Sequence, residues 1–475
     1  MIPNLLLPAA HPLSRLLMIL YGLPHLTHTI VILPMALFIP SFYADEMGLP
    51  MVSVGIAIAA SRLLDIIIDP IVGVVSDRIR TKWGRRKPWL AVGTPVLILC
   101  AWMVFVPGKD ASIWYLFFWA SLLYVAYTFV DLPYKAWGAE LSTDYAERSR
   151  VTAFREAFGF FGQMLFLGIL IIMTLFDVNA IHTQLLTIAI LIVLTQPILV
   201  AITLLRVPER PPEFLASDKL DNPALLGGEA IGSIYKKARQ ELLLMIHNEA
   251  FLRTLKAIIF FGTAVLMQAT LHRFVLNHII KAPDLFAPMI MAENFCSILS
   301  LPLWIWISDR VGKHRAISFA ALWVAFWSLF LPLVETGDMS LYFILIILRG
   351  SSLASILFLA SSISADVVDF DTVASGRQRT GLYFAVWGMA SKLSIGLGVL
   401  LATSLPSLFG FDPSNIIHTD SSLSALKIIY GWLPALIMLI GIPYLWNFPI
   451  DKLHQEELRS KISAAALSEE LSEIA

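Results

Sequence analysis

The sequence predicts an all-α membrane protein with twelve transmembrane helices in two six-helix bundles. The chain has 475 residues, of which 57% are hydrophobic and only 15% charged, and its mean hydropathy is +0.76. A soluble domain of this length could not bury so much apolar surface. The apolar residues also form long runs, and a spanning helix needs roughly 20 consecutive, mostly apolar residues.

Twelve segments meet this length requirement, six in each half of the chain. They lie near residues 16–41, 51–75, 89–107, 112–135, 152–176, 181–205, 254–280, 285–307, 316–335, 340–363, 381–406 and 425–447. The opening stretch MIPNLLLPAAHPLSRLL lacks the charged start, short apolar core and cleavage site of a signal peptide. We therefore expect the first segment to remain as a membrane helix.

Positive charges set the orientation of these segments. Lys and Arg cluster in the loops after segments 2, 4, 6, 8 and 10, as in SDRIRTKWGRRKP at 76–88, whereas the opposite loops hold just Lys109 and Lys281. Because short cytoplasmic loops carry the excess of positive charge, we place both termini in the cytoplasm and the chain in the cytoplasmic (inner) membrane.

The polar stretch at 206–253 divides the predicted bundles, 1–205 and 254–448, and the charged residues 449–475 form a cytoplasmic tail. We interpret 206–253 as a cytoplasmic linker with an interfacial helix at IGSIYKKARQELLLMI. SDRVGKHR after the eighth segment weakly repeats SDRIRTKWGRRKP after the second. Such a repeat is typical of two-bundle transporters.

Segment 2 carries three charges in SRLLDIIIDP. Arg62, Asp65 and Asp69 are three and four residues apart, which places them on one helical face. Pro70 frees the carbonyl oxygen of Ile66 between the two acids. These oxygens suit a hard cation or a proton. Alternatively, Arg62 simply neutralises Asp65 and clamps two helices.

Segment 4 ends in YTFVDLPYKAWGAELS, a polar face on an apolar helix. Asp131 and Lys135 are one turn apart, and Tyr127 and Thr128 add hydroxyls, so this face could line the path of a substrate with many hydroxyl groups. Alternatively, Asp131 and Lys135 pair with each other near the cytosolic end, where a lysine can reach water.

Other charged or titratable residues of the predicted membrane segments are further candidates for a functional role. Arg155 either pairs with Glu156 or donates hydrogen bonds to substrate, whereas Lys392 has no acid within one turn and needs a partner from elsewhere. His25 and His28 either carry protons or serve as packing hydrogen-bonders.

Two sets of charged residues in the second half of the chain each allow a functional and a structural interpretation. Arg273, Glu293 and Arg349 either line a path or form structural pairs. The acids and arginines of 363–381 are either gating pairs between the bundles or a solvated cluster.

Four stretches resemble the glycoside/pentoside/hexuronide:cation symporter family, a branch of the major facilitator superfamily typified by melibiose permease. They are SRLLDIIIDPIVGVVSDRIRTKWGRRKPWL, YTFVDLPYKAWGAELS, ADVVDFDTVASGRQRTGLYFA and the lysine of MASKLS. The resemblance implies the major facilitator fold and import of a glycoside coupled to a cation by alternating access.

The resemblance also implies roles for single residues. Asp65, Asp69 and Thr128 match cation-coupling positions, which Arg62 adjoins. Asp131, Arg155 and Lys392 match sugar-binding positions, to which we add Lys135 and Tyr127 from their place on segment 4. Asp77, Arg85 and Arg86 resemble a cytoplasmic gating motif, which Asp309 and Arg310 repeat in the second half.

Two departures from the family pattern alter the expectation. Ile68 replaces the asparagine of sodium-using members and removes an oxygen ligand, so we expect H⁺ rather than Na⁺ to be the coupling ion. Lys135 replaces a tryptophan, and HLTHTIVIL replaces a stretch that holds an aspartate. We therefore hypothesise an acidic substrate such as a uronide.

The alternative is a lysolipid or other amphiphile transporter of the same fold. An enzyme is disfavoured because no Ser/His/Asp set, HExxH or metal cluster is found, and Cys100 and Cys296 lie in apolar runs. We expect a small-molecule substrate, a monovalent cation and membrane lipid as partners of a monomer, with no cofactor, metal or nucleic acid.

Overall fold

The computed structural model describes residues 13–78, 81–142, 145–209, 245, 248–375, 380–415 and 417–449. In these ranges the chain is helical, and its one β feature is an isolated bridge between Thr81 and Gly84. The main helices are α1 (Arg15–Ile32), α2 (Pro34–Leu37), α3 (Ile39–Ser41), α4 (Met51–Arg78), α5 (Lys87–Phe105), α6 (Ile113–Glu140), α7 (Tyr145–Leu175), α8 (Ile181–Arg206), α9 (Glu249–Val275), α10 (Phe286–Leu299), α11 (Leu301–Val311), α12 (Lys313–Ser328), α13 (Met339–Gly350), α14 (Leu353–Ser375), α15 (Thr380–Leu408) and α16 (Asp420–Trp446).

Membrane-length helices account for every predicted segment. Within the described ranges, eleven spans are long and apolar enough to cross a membrane, and the bent pair Pro283–Leu299 and Leu301–Val311 makes a twelfth. That pair corresponds to the predicted segment at 285–307 and bends by 42°. Pro302 stands at the start of α11, where it cannot donate a backbone hydrogen bond to the preceding turn. The predicted all-α membrane class is confirmed.

The chain forms two compact units, Met1–Met35 with Leu64–Ser217, and Ala36–Leu63 with Asp218–Ala475. The division passes through α4 between Leu63 and Leu64. The predicted bundles at 1–205 and 254–448 stay a prediction. Apart from Met245, the predicted interfacial helix at 231–246 lies outside the described residues, and so do most of the 206–253 linker and of the 449–475 tail.

Glycines let α1 and α7 of the first unit approach closely. A Cβ atom added to Gly22 would lie 2.5 Å from Phe158 Cδ2, and one added to Gly159 would lie 2.6 Å from His25 Cδ2. A Cβ atom on Gly162 would collide with the Leu26 carbonyl of α1. Small residues at such crossings allow helix backbones to pack against each other in a membrane. This contact fixes the position of His25.

A proline helps to join α1 to α8. Pro24 has no N–H, so the carbonyl of Leu20, one turn earlier, loses its usual helical partner. The Thr203 hydroxyl on α8 donates to that carbonyl at 2.7 Å. A side chain from a neighbouring helix thus replaces the lost backbone bond, as membrane helices require.

Buried polar networks hold the second unit. Arg349 donates to Gln268 Oε1 at 2.7 Å and pairs with Glu293, so these two charges form a pair inside the fold. Arg273 is 4% exposed and lies over the rings of Phe38 and Phe286, with its guanidinium carbon 4.5 and 5.0 Å from their centroids. The geometry favours the structural interpretation of all three charges.

Candidate functional site

Two acids of α4 meet a hydroxyl of α6 inside the first unit. Thr128 Oγ1 lies 2.6 Å from Asp65 Oδ1 and 2.9 Å from Asp69 Oδ1. Asp65 is fully buried, and Asp69 is partly buried on the same face one turn later. On the other faces of α4, Ile67 and Ile71 are 64% and 57% exposed, as residues facing lipid would be. We call Asp65, Asp69 and Thr128 the carboxylate cluster.

The carboxylate cluster presents oxygen atoms and no nitrogen, which suits a proton or a hard cation. Thr128 carries a single hydroxyl proton and can donate it to just one acid at a time. The second short oxygen–oxygen distance is therefore a hydrogen bond only when the other carboxyl group carries a proton. Arg62 is buried three residues before Asp65, in the part of α4 that belongs to the other unit, and its coupling role stays a prediction.

A second polar group lies further along α6. Lys135 Nζ is 2.7 Å from Asp131 Oδ2, so the predicted pair within the helix is present. The Asp131 side chain is 8% exposed and that of Lys135 is 44% exposed. Asp131 Oδ1 has no hydrogen-bond partner among the described protein atoms. Lys135 thus binds one carboxylate oxygen of Asp131, and the other oxygen is available to a ligand.

His25 and His28 of α1 lie against Asp131. Ligand atoms of the three side chains all fall within 4.8 Å of one another. His28 is fully buried, and neither of its ring nitrogens has a hydrogen-bond partner among the described protein atoms. We call His25, His28 and Asp131 the histidine cluster. From the sequence both histidines were weaker candidates, because a membrane histidine is as often a packing hydrogen-bonder. Their approach to Asp131, which is more than 100 residues away, is seen only in the structure.

A tyrosine pair holds α1 and α6 together next to the histidine cluster. The Tyr21 hydroxyl donates to the Tyr134 carbonyl at 2.9 Å, and the Tyr134 hydroxyl donates to the Tyr21 carbonyl at 2.5 Å. Their rings stack with centroids 4.7 Å apart, and the His28 ring packs edge-on to Tyr134 at 5.5 Å. These two hydrogen bonds fix the spacing between α1 and α6.

The remaining predicted substrate residues are placed differently. Arg155 Nη2 lies 2.6 Å from Glu156 Oε1, and Glu156 Oε2 lies 3.7 Å from His25 Nε2, so this pair adjoins the histidine cluster. The Tyr127 ring packs against His28 at 6.0 Å. Lys392 is partly buried on α15 in the other unit, and its predicted role stays a prediction.

The predicted gating arginines meet two acids that the sequence did not single out. Arg85 and Arg86 lie 2.5 and 2.7 Å from Glu140 Oε1, at the end of α6. The backbone N–H groups of Arg85, Arg86 and Lys87 donate to Glu209 at 2.5, 2.7 and 3.2 Å. A carboxylate at the start of α5 satisfies free amides and complements the helix dipole. Glu140 lies in the stretch YTFVDLPYKAWGAELS, and the many positive charges of 76–88 could have suggested an acidic partner there.

The second half arranges its charges differently. Asp309 is exposed, and the Arg310 guanidinium lies 3.9 Å from the centre of the Trp306 ring. Instead, Lys313 Nζ pairs with Asp366 Oδ2 at 2.7 Å, joining α12 to α14. The side chain of Asp77 lies outside the described residues. The gating roles of Asp77, Asp309 and Arg310 stay predictions.

Comparison with known proteins places this chain in a family. Residues 20–452 match the family described as MFS/sugar transport protein. An uncharacterized symporter of Synechocystis is 24% identical, covering 89% of this chain and 92% of its own, and the glucuronide carrier protein homolog of Escherichia coli is 22% identical, covering 89% and 90%. The sphingosine-1-phosphate transporter of Xenopus tropicalis is 24% identical, covering 82% and 79%.

Solved structures agree on the fold. A D-xylose-proton symporter superposes with a TM-score of 0.62 at 13% identity, covering 92% of this chain and 97% of that one. These likenesses confirm the resemblance, the predicted major facilitator fold and the expectation that the protein is not an enzyme. The chain belongs to the MFS/sugar transport protein family and is a multi-pass membrane transporter that moves a small molecule together with a coupling ion.

Proposed function

We propose that the protein imports an acidic glycoside together with a proton across the cytoplasmic membrane by alternating access. The observation that carries the proposal is the carboxylate cluster, in which one Thr128 hydroxyl lies within hydrogen-bond distance of Asp65 and of Asp69. Two acids that share one donor can be satisfied together when a proton binds to one of them. This is the behaviour expected of a proton-coupling site.

Ile68 supports a proton over sodium. A sodium ion needs several oxygen ligands, and Ile68, partly buried on α4 between Asp65 and Asp69 in sequence, contributes none. Binding of a proton removes one negative charge from the cluster. If the two conformations of the transporter differ in how they stabilise that charge, protonation changes their populations, and a substrate favouring the same conformation is transported with the proton.

The charges around Asp131 support an acidic substrate. Lys135 and Arg155 each already pair with an acid, Asp131 and Glu156, so a substrate carboxylate could replace one of these partners. Hydrogen bonds between a guanidinium or ammonium group and a carboxylate are roughly twice as strong as neutral ones. The hydroxyl of Tyr127 and the imidazoles of His25 and His28 suit sugar hydroxyls.

A lysolipid or other amphiphile is the second candidate substrate. The sphingosine-1-phosphate transporter of Mus musculus, 24% identical over 93% of this chain, and the sodium-dependent lysophosphatidylcholine symporter 1-A of Danio rerio, 21% identical over 91%, are relatives that carry such names. Both molecules have a phosphate, so basic residues would serve either substrate class. The polar side chains around Asp131 favour the sugar.

Uptake into proteoliposomes tests both parts of the proposal. The full-length protein is reconstituted, and entry of labelled methyl β-D-glucuronide is measured with an inward proton gradient, an inward sodium gradient, or neither. We expect uptake with the proton gradient alone, and its loss in Asp69→Asn. Asp110→Asn, which makes the same change in an exposed carboxylate, serves as the control.

Competition identifies the substrate class. Neutral methyl β-D-glucoside and lysophosphatidylcholine are added separately in excess to the same vesicles. Uptake that is driven equally by sodium, or that is displaced by the lipid and by no sugar, would contradict the proposal. Uptake displaced by the neutral glucoside as strongly as by unlabelled glucuronide would keep the coupling and reject the acidic substrate.

A further inference from the structure

We propose that the histidine cluster is a binding site for a divalent transition-metal ion, with Zn²⁺ as the best match. His25 and His28 are three residues apart on α1, which places them on one helical face, and Asp131 faces them from α6. One ligand atom from each lies within 4.8 Å of the other two. Three donors from two helices therefore surround one small space.

The donor types select the metal class. Zn²⁺ binds imidazole nitrogen and carboxylate oxygen, commonly with three protein ligands and one further position. Mg²⁺ and Ca²⁺ prefer oxygen ligands throughout, so two imidazoles disfavour them. This chemistry also separates the histidine cluster from the carboxylate cluster around Thr128, which offers oxygens alone.

The buried polar atoms point to a ligand. Both ring nitrogens of His28, Nδ1 of His25 and Oδ1 of Asp131 are buried without hydrogen-bond partners among the described protein atoms. His28 is 0%, His25 9% and Asp131 6% exposed. A buried polar atom without a partner is unfavourable, so a metal that binds three of these atoms removes several such costs at once.

The geometry needs modest adjustment. In a tetrahedral zinc site with bonds of about 2.05 Å, the ligand atoms are roughly 3.3 Å apart. The three ligand atoms, within 4.8 Å of one another, must therefore move together by at most about 1.5 Å, which rotation of the imidazole rings can supply. The two hydrogen bonds between Tyr21 and Tyr134 keep the spacing of α1 and α6 fixed while the rings rotate.

Two charged neighbours affect binding in opposite directions. Lys135 holds Asp131 Oδ2 and competes electrostatically with a cation, but its side chain is 44% exposed and can move into solvent at small cost. Glu156 Oε2 lies 3.7 Å from His25 Nε2, where its negative charge favours a cation bound through His25 Nδ1. Because Asp131 is also a predicted substrate residue, a bound metal would inhibit transport, although binding itself does not depend on the proposed function.

Titration of the purified, full-length protein with Zn²⁺ tests the site in the absence of substrate and gradients. We expect one ion to bind per chain in a calorimeter, at least about tenfold more weakly in Asp131→Asn and in His28→Gln. Lys135→Gln should bind more tightly, because it removes the competing charge. His182→Gln, which changes an exposed histidine of α8, is the matched control and should bind as the native protein does.

Cobalt substitution supplies a readout that a misfolded variant cannot mimic. X-ray absorption of the native protein loaded with one Co²⁺ should show two imidazole ligands in a four-coordinate site. Zn²⁺ binding that is unchanged in Asp131→Asn, binding lost in the His182 control, or an absorption spectrum with oxygen ligands alone would overturn the proposal. Failure of glucuronide uptake would leave these binding results intact, so the two proposals fail separately.

Discussion

Removal of the Thr128 hydroxyl should slow proton-driven uptake. Valine has nearly the same shape as threonine, so Thr128→Val removes the hydroxyl that lies 2.6 Å from Asp65 and 2.9 Å from Asp69 and keeps the branched side chain. With one proton on the carboxylate cluster, the hydroxyl accepts a hydrogen bond from the neutral acid and donates one to the ionised acid, whereas without that proton it makes just one. The variant therefore loses one more hydrogen bond in the proton-loaded form than in the empty form.

The size of the effect follows from that one additional hydrogen bond. It runs from a neutral carboxyl group to a hydroxyl, and such a bond contributes about 0.5–1.5 kcal/mol. Because about 1.4 kcal/mol corresponds to a factor of ten, we expect the initial rate of proton-driven uptake to fall by roughly two- to tenfold.

The assay is the initial rate of methyl β-D-glucuronide uptake into proteoliposomes under an inward proton gradient. Thr128→Ser keeps the hydroxyl and should take up the glucuronide at the native rate, which separates loss of the hydrogen-bonding group from loss of the methyl group. A native uptake rate in Thr128→Val, or an equal loss in Thr128→Ser, would refute a role of the hydroxyl in proton loading.

Three further predictions concern stability, measured by thermal unfolding in detergent. Gly84 has a φ of +115° and faces the Glu209 carboxylate, so Gly84→Ala should cost about 1–3 kcal/mol, whereas Gly108→Ala, with open space around it, should not. Glu293→Gln should lower the free energy of unfolding by about 3–5 kcal/mol, because it leaves the buried charge of Arg349 without its acid. Glu249→Gln, in the exposed pair with Arg253, should lower it by under about 1 kcal/mol. Equal losses in the two variants would contradict this account. Burial and, second, the neighbouring His278 lower the pKa of His418. The folded protein should therefore lose stability as the pH falls below about 6.5, because the unfolded chain binds the proton more readily. His418→Gln should lose less stability over this pH range, and an identical pH dependence in the variant would exclude His418 as its source.

Local patterns were sufficient to predict the helices and one contact of the site. Hydropathy is a property of consecutive residues, so segments such as 181–205 reappear almost unchanged as α8. The Asp131–Lys135 pair was also predictable, because residues four apart on a helix are neighbours regardless of the rest of the fold.

The bend between α10 and α11 was not predicted. The segment at 285–307 was expected to be one span, yet it bends by 42° near Pro302. Other helices, including α6 with Pro133, continue through a proline. Proline removes one hydrogen bond in every case, and neighbouring helices decide whether the axis also turns.

The sequence by itself determined the membrane class, the number of spans and which spans carry charge, because the cost of placing side chains in lipid is local and additive. Only the tertiary structure decided which charged and polar side chains of different helices meet. Thr128 reaches Asp65 across 63 residues, His28 reaches Asp131 across 103, and Glu140 reaches Arg86 across 54. Such contacts depend on which helix faces pack together, and that is set by close approaches such as Gly159 against α1 rather than by the periodicity of any one helix.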